Sequence, residues 1–436
     1  MHRFWEFALA RRLTISTTLV ALGLTGAGLA QSKSVELAVG DLDRDGFEDV
    51  LVADRGLTRN GGCGEVHAID GRSGKRLWLS TGVAESRRVG LAVAVLAKGS
   101  GAPWVAIGVE DLERGELVID VLRGASGERI CSHRLRKPMR DGVETRCSFA
   151  ALDDLDGDGI PELAVGRPGY WRGTRDRGAV SIVSLRDGCE IERLEGGAHD
   201  EFLGADVASG EFDEHPGREL VARVEVGHAA TLVWLSVPGL RELSRLAPAR
   251  DGECTVTAIA KFGDSDGDGI DEVLVGLRSP RSGATQPHGE VRLYSPRAPL
   301  AMRSLAVDGV HETEGPKVAA LFAGRGAPEL VAVGTPWEDW SAGFWRLFDD
   351  DGRAVASHRE EGLNDYYAVE VAGARAPRGE TARLAVLAQK VGSRDARHAL
   401  HVVVQCWGGE RWGSLLWIYE LEPEPPSPPP DGEPSK

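Results

Sequence analysis

The chain has 436 residues, 42% hydrophobic and 27% charged, which is ample for a large buried core and too apolar for a disordered polymer. Lys and Arg number 51 against 67 Asp and Glu, and a net charge of −16 argues against a nucleic-acid binder. The 56 glycines, with 22 prolines and no Gly-X-Y period, point to many tight turns in an all-β protein rather than to collagen.

Residues 1–30 read as a secretory signal peptide. Arg3, Arg11 and Arg12 form a positive start, Leu13 to Ala30 is apolar, and Gly28-Leu29-Ala30 places small residues before a cleavage point. The expectation is an exported protein, secreted, periplasmic or at the cell surface. No later segment reaches about 18 unbroken apolar residues, so no stable membrane span is expected.

From residue 35 onward the chain repeats itself. Seven units open at 35, 89, 147, 203, 254, 316 and 367, each with a strand, a turn rich in Gly or Asp, and a second apolar strand. A second hairpin follows each opening, as in Glu65–Ser80, Leu117–His133 and Ala179–Leu194. Four short strands repeating every 50–60 residues are the pattern of a β-propeller, whose sheets must stack on neighbours to cover both apolar faces. The predicted fold is a seven-bladed β-propeller over 31–422, a monomer, with a Pro-rich tail at 423–436.

Three of the openings carry one acidic constellation. It comprises Asp41, Asp43, Asp45 and Asp49; then Asp154, Asp156, Asp158 and Glu162; then Asp264, Asp266, Asp268 and Glu272. Alternate residues of a tight turn aim three carboxylates at one point. A glycine permits the bend, and the residue after it (Phe47, Ile160 or Ile270) presents a backbone carbonyl. The last acid closes the shell. Hard oxygen donors in this number suit Ca²⁺, so about three calcium sites are expected, each relieving repulsion among carboxylates. The pattern opens like an EF-hand loop, but the closing acid follows the glycine by three residues and the flanks are strands. Glu211, Asp213 and Glu219 make a degenerate fourth loop, with His215-Pro216 interrupting it. Lys98-Gly99, Gly324–Gly326 and Arg375–Gly379 read as plain turns.

With these loops, the strand endings Val165-Gly166-Arg167-Pro168 and Val333-Gly334-Thr335-Pro336, and Phe202-Leu203-Gly204, the chain resembles the FG-GAP (VCBS-type) repeat family. Its best-known members are the seven-bladed propellers of integrin α-subunits. The resemblance implies an exported, calcium-stabilised propeller that serves adhesion or ligand binding, with a protein or glycan partner on a loop face.

Other features bear on catalysis. Ala68 to Trp78 is similar to one tryptophan-docking repeat of quinoprotein dehydrogenases, but its single copy reads as turn chemistry plus a Trp between blades. No H-E-x-x-H, no G-x-S-x-G and no phosphate-binding Gly loop occurs, so an enzyme is the less favoured reading and no catalytic residue is assigned. The alternative is a secreted polysaccharide lyase or hydrolase on a calcium propeller. Its mark would be shifted carboxylates or His clustered in the central funnel. His67 and His199 read as turn or core residues. Trp171, Trp337 and Trp340 stack on ligands or wedge between blades. None of the six cysteines forms a Cys-x-x-Cys pair. Buried free thiols and disulfides both stay open, with Cys131–Cys147 the favoured pair, stapling adjacent repeats.

Overall fold

The computed structural model describes most of residues 35–420. Residues 1–34 and 421–436 lie outside the description. So do 56–62, 98–100, 136–146, 198–201, 279–288, 308–314, 322–329, 339–341, 360–364, 375–382, 391–398 and some shorter stretches. The expected signal peptide and tail, the three plain turns, His199 and Trp340 therefore fall outside it. Beyond Arg359 most residues are described by backbone alone, as are Trp171 and Trp337.

Every strand lies in the unit Gln31–Lys436. The first sheet holds β1 (Val35–Gly40), β2 (Asp49–Asp54), β3 (Glu65–Ile69) and β4 (Arg76–Thr81). The second holds β5 (Arg87–Leu96), β6 (Trp104–Asp111), β7 (Glu116–Arg123) and β8 (Arg129–Leu135). The third holds β9 (Ser148–Ala151) and β10 (Leu163–Arg167), then β13 (Ala179–Val183) and β14 (Glu190–Glu195). Between β10 and β13 stands a two-stranded ribbon, β11 (Trp171–Arg172) with β12 (Arg175–Asp176). The fourth holds β15 (Val207–Gly210), β16 (Glu219–Val226), β17 (Ala229–Leu235) and β18 (Glu242–Leu246). The fifth holds β19 (Thr255–Gly263), β20 (Glu272–Arg278), β21 (Gly289–Tyr294) and β22 (Arg303–Val307). Each of these five sheets is an antiparallel meander of four strands.

The last eight strands make one sheet. They are β23 (Lys317–Leu321), β24 (Leu330–Glu338), β25 (Ala342–Phe348), β26 (Ala354–Arg359), β27 (Asp365–Ala374), β28 (Arg383–Lys390), β29 (Ala399–Gly408) and β30 (Arg411–Glu420). The array is therefore six-sheeted, which corrects the expectation of seven separate blades. The reason is local. The β24–β25 hairpin runs on to the pair Glu338↔Ala342, beyond the register break after Thr335, and Ala342 then meets Asp365 in a parallel pairing. That contact ties the sixth and seventh repeats together. The first strands touch in order (β1, β5, β9, β15, β19, β23), and β27 touches both β23 and β1, closing the circle.

Apolar residues are buried between sheets rather than in one centre. Leu51, Ala53, Val66 and Trp78 of the first sheet meet Val89, Val93, Val105 and Ile107 of the second. The same layering recurs between the second and third, third and fourth, fourth and fifth, and fifth and sixth sheets. Among the described residues, second and third strands are mostly buried, as in Leu163–Arg167 and Ala179–Val183, whereas the fourth strand Glu190–Glu195 is largely exposed. That gradient explains why strands β2, β10 and β20 read as unbroken apolar runs.

The sheets are also latched. Trp78 of β4 donates its indole N–H to Gly124 O in the β7–β8 turn at 2.6 Å. His133 of β8 lies 2.9 Å from Leu185 O in the β13–β14 turn, and Ser244 of β18 donates to Pro296 O after β21 at 3.4 Å. The three carbonyls occupy the same place in their turns, so the Asp70–Trp78 segment does act as a turn followed by an inter-sheet Trp. His67 is buried in β3 with Nε2 3.1 Å from Glu65 Oε2, in keeping with a core residue.

Cys131 and Cys147 are both free, which overturns the favoured disulfide. Cys131 belongs to β8, the outer strand of the second sheet, while Cys147 precedes β9, the inner strand of the third. They pack at opposite edges of one interface. Cys189 is free as well.

Candidate metal centres

In the first, third, fourth and fifth sheets, the connection from first to second strand carries the acidic residues. In β9–β10 the first acid, Asp154, draws the loop around itself. Its Oδ1 accepts Gly157 N and Asp158 N at 2.8 and 3.0 Å, and its Oδ2 accepts Gly159 N at 2.7 Å. Asp264 does the same for Gly267 N, Asp268 N and Gly269 N, and Asp41 accepts Gly46 N at 3.1 Å. The glycines after the third aspartate have φ of +89°, +83° and +85° at Gly46, Gly159 and Gly269, the left-handed region that side chains disfavour. The wrapping brings carboxylate oxygens to within 4.8 Å of one another in Asp41, Asp43 and Asp45, in Asp154, Asp156, Asp158 and Glu162, and in Asp264, Asp266 and Asp268.

The closing acid has a second task that sequence spacing did not disclose. In all four acidic loops it accepts the amide of the residue after the first acid. Asp49 takes Leu42 N, Glu162 takes Leu155 N, Glu219 takes Phe212 N and Glu272 takes Ser265 N, at 2.5–2.8 Å. Asp49 spends its other oxygen on Gly71 N at 2.8 Å, and Asp49 and Glu272 are not gathered with their three aspartates. Glu162 and Glu272 each keep one oxygen, Oε1, buried without a hydrogen-bond partner, and Asp41 keeps Oδ1 so. Phe47, Ile160 and Ile270 are fixed by their amides, which donate to the third aspartate's Oδ1 at 2.7–2.9 Å.

The electrostatics follow from crowding. Burial pushes the Glu162 carboxyl up to about 7 against the pull of the Leu155 amide, and Asp156, Asp154 and Asp158 push the same way. Asp49 also rises to about 7, chiefly by burial. Glu272, Glu219 and Asp43 are raised too, burial leading in each. Among the described residues, the carboxyls shifted upward are those of the acidic loops. The donors are hard oxygens, several are buried without a proton donor, and their charges repel. That set fits a divalent cation of the Ca²⁺ type, which would be held by the three aspartates and, in the third sheet, Glu162.

The degenerate fourth loop folds like the others but is bracketed by its neighbours. Glu211 N donates to Asp271 Oδ2 at 2.8 Å, and Asp271 N donates to Glu211 O at 2.7 Å. Asp271 in turn meets Lys261 Nζ at 2.5 Å, and Arg218 reaches Asp153 of the third sheet at 3.3 Å. Its backbone and Arg218 therefore make the loop-to-loop contacts, while the Glu211, Asp213 and Glu219 carboxylates accept amides within their own loop.

Arginines near the other loops also escaped sequence reasoning. Arg186 Nε lies 2.9 Å from Asp158 Oδ2, Arg297 Nη1 3.4 Å from Asp268 Oδ2, and Arg72 Nη1 3.9 Å from Asp45 Oδ2. Each sits in the turn between the third and fourth strands. An antiparallel meander brings that turn to the same end of the sheet as the acidic loop.

No curated protein matches the chain in sequence. Among solved structures, hydrazine synthase of Kuenenia stuttgartiensis superposes with a TM-score of 0.51 at 12% identity, over 82% of this chain and 92% of that one. The Dos1 propeller gives 0.45 at 12% identity over 79% and 73%, and a europium-containing methanol dehydrogenase 0.45 at 11% over 81% and 73%. At such identity the first likeness speaks to fold alone. The family profile that matches is the FG-GAP repeat, over residues 148–183, which spans β9, the Asp154–Glu162 loop, β10 and β13. The chain thus carries an FG-GAP repeat within a β-propeller of four-stranded units.

Proposed function

We propose that the chain is an exported binding or adhesion scaffold, non-catalytic, whose first, third and fifth sheets are locked by Ca²⁺. The observation that carries this reading is the convergence of three or four carboxylate oxygens within 4.8 Å in each of three loops, with buried acceptor oxygens beside them. A cation there would cancel repulsion and rigidify the loop end of the sheets, where a protein or glycan partner would dock.

Calorimetric titration of metal-stripped protein tests the first part. Uptake of about three Ca²⁺ per chain, with Mg²⁺ far weaker, is the expected result. Absence of heat and of any thermal shift with Ca²⁺ would remove the metal reading. A glycan array probed in Ca²⁺ and again in EDTA, with surface-immobilised matrix proteins as a second panel, tests the second part. Retention of a defined partner only in Ca²⁺ is expected, and equal retention in EDTA would separate binding from the loops.

A further inference from the structure

The three arginines hold one register position. The turn after the third strand starts at Asp70, Ser184 and Ser295, and the arginine stands two residues on in each. The turn's first side chain accepts the arginine's own amide: Asp70 Oδ1 from Arg72 N, Ser184 Oγ from Arg186 N, and Ser295 Oγ from Arg297 N, at 2.7, 3.4 and 3.3 Å. In the second and fourth sheets and in the β25–β26 turn of the sixth, whose loops lack the three-aspartate set, other residues stand there. Their turns start at Arg123, Ser236 and Asp349, and the corresponding residues are Ala125, Pro238 and Asp351. An arginine at this position thus accompanies the full acidic loop.

The contact is as specific as the position. In each loop the third aspartate gives Oδ1 to the amide two residues on and turns Oδ2 to the guanidinium. Arg186 adds a bond from Nη2 to Asp158 O at 3.4 Å. Arg297 is shared with Glu214 of the fourth loop, and Arg72 also lies over the Phe47 ring at 5.1 Å. The third aspartate's Oδ2, the oxygen not given to that amide, is thus the one the arginine meets.

We propose that Arg72, Arg186 and Arg297 are built-in counter-charges that compete with the divalent cation for the third aspartate and so set the affinity of each site. This rests on the reading of the loops as cation sites. A guanidinium at that oxygen relieves repulsion when no cation is bound and opposes a second positive charge when one enters. The effect follows distance, so Arg186 at 2.9 Å acts most, Arg297 at 3.4 Å less, and Arg72 at 3.9 Å least.

The test uses the full chain, stripped of metal and titrated with Ca²⁺ by calorimetry, with melting followed in EDTA and in Ca²⁺. Arg186→Gln should tighten one site roughly two- to fivefold, the range of a part-exposed ion pair. It should also lower the melting temperature in EDTA while that loss disappears in Ca²⁺. Arg186→Lys, which keeps the charge, should stay within about twofold of the parent, and Arg72→Gln should change least. An arginine with a merely structural role would lower the melting temperature equally in both conditions, and that result overturns the proposal. Weaker or unchanged Ca²⁺ binding in Arg186→Gln, with the parent still taking up Ca²⁺, overturns it too and leaves the cation sites standing. No Ca²⁺ uptake by the parent protein removes both readings together.

Discussion

Gly166 stands where no side chain fits. A Cβ there would sit 2.4 Å from Gly204 O and 2.4 Å from Ser148 Oγ, and Ser148 donates to that same carbonyl at 3.1 Å. Gly276 repeats the arrangement, with Pro316 O 2.4 Å from its virtual Cβ and Thr257 donating to Pro316 O at 2.9 Å. The glycine of the second strand is thus a seat for the backbone entering the next sheet, which is the physical content of the Val-Gly endings. Gly166→Ala should cost about 3 kcal/mol, since backbone atoms rather than a flexible chain end must move. Urea denaturation measures it, and a midpoint equal to the parent's would refute the seat. The candidate site was legible at this scale because Asp spacing is a local property. The bracing role of Asp49 and the arginine partners were not, because they depend on hydrogen bonds and ion pairs to residues 22 to 29 positions away.

Three sheets dock their outer strand on the next. Trp78 is buried, and the glycine that follows its acceptor, Gly127 at φ +68°, has room for no Cβ because the Trp78 ring lies 2.7 Å from where one would be. His133 fills the same place against Gly188 in the next interface. Trp78→Phe keeps most of the packing but orphans Gly124 O, and should cost about 1–2 kcal/mol. Trp78→Ala should cost about 3–5 kcal/mol. Thermal or chemical unfolding of both variants checks the order, and a Phe variant as stable as the parent would show that the bond to Gly124 contributes nothing. The four-strand repeat was readable from alternating apolar runs and turn residues. Which outer-strand residue makes the latch was not, since Trp, His and Ser serve in different sheets.

Across the assembled sheets, the raised carboxyls link stability to pH. Glu162 and Asp49 have folded-state values near 7, above the ordinary 4.5 and 3.8. The folded state therefore holds these protons more tightly than the unfolded chain. Without a divalent cation, their contribution is full below pH about 4 and is lost as pH rises through 7. Ca²⁺ should flatten that decline by compensating the ionised oxygens. Melting curves from pH 4 to 8 in EDTA and in Ca²⁺ test this, and a melting point that rises steadily across pH 5 to 7 in EDTA would contradict it.

Strand pattern, turn chemistry and carboxylate clustering were local matters, so the sequence alone determined an all-β array of four-stranded units with three acid-rich loops. Register between distant strands was not local. The pairing of Ala342 with Asp365 joined the last two repeats into one sheet, and the edge positions of Cys131 and Cys147 kept both thiols free. Only the stacked sheets decided these, because each depends on which backbone edges meet after the chain has come round on itself.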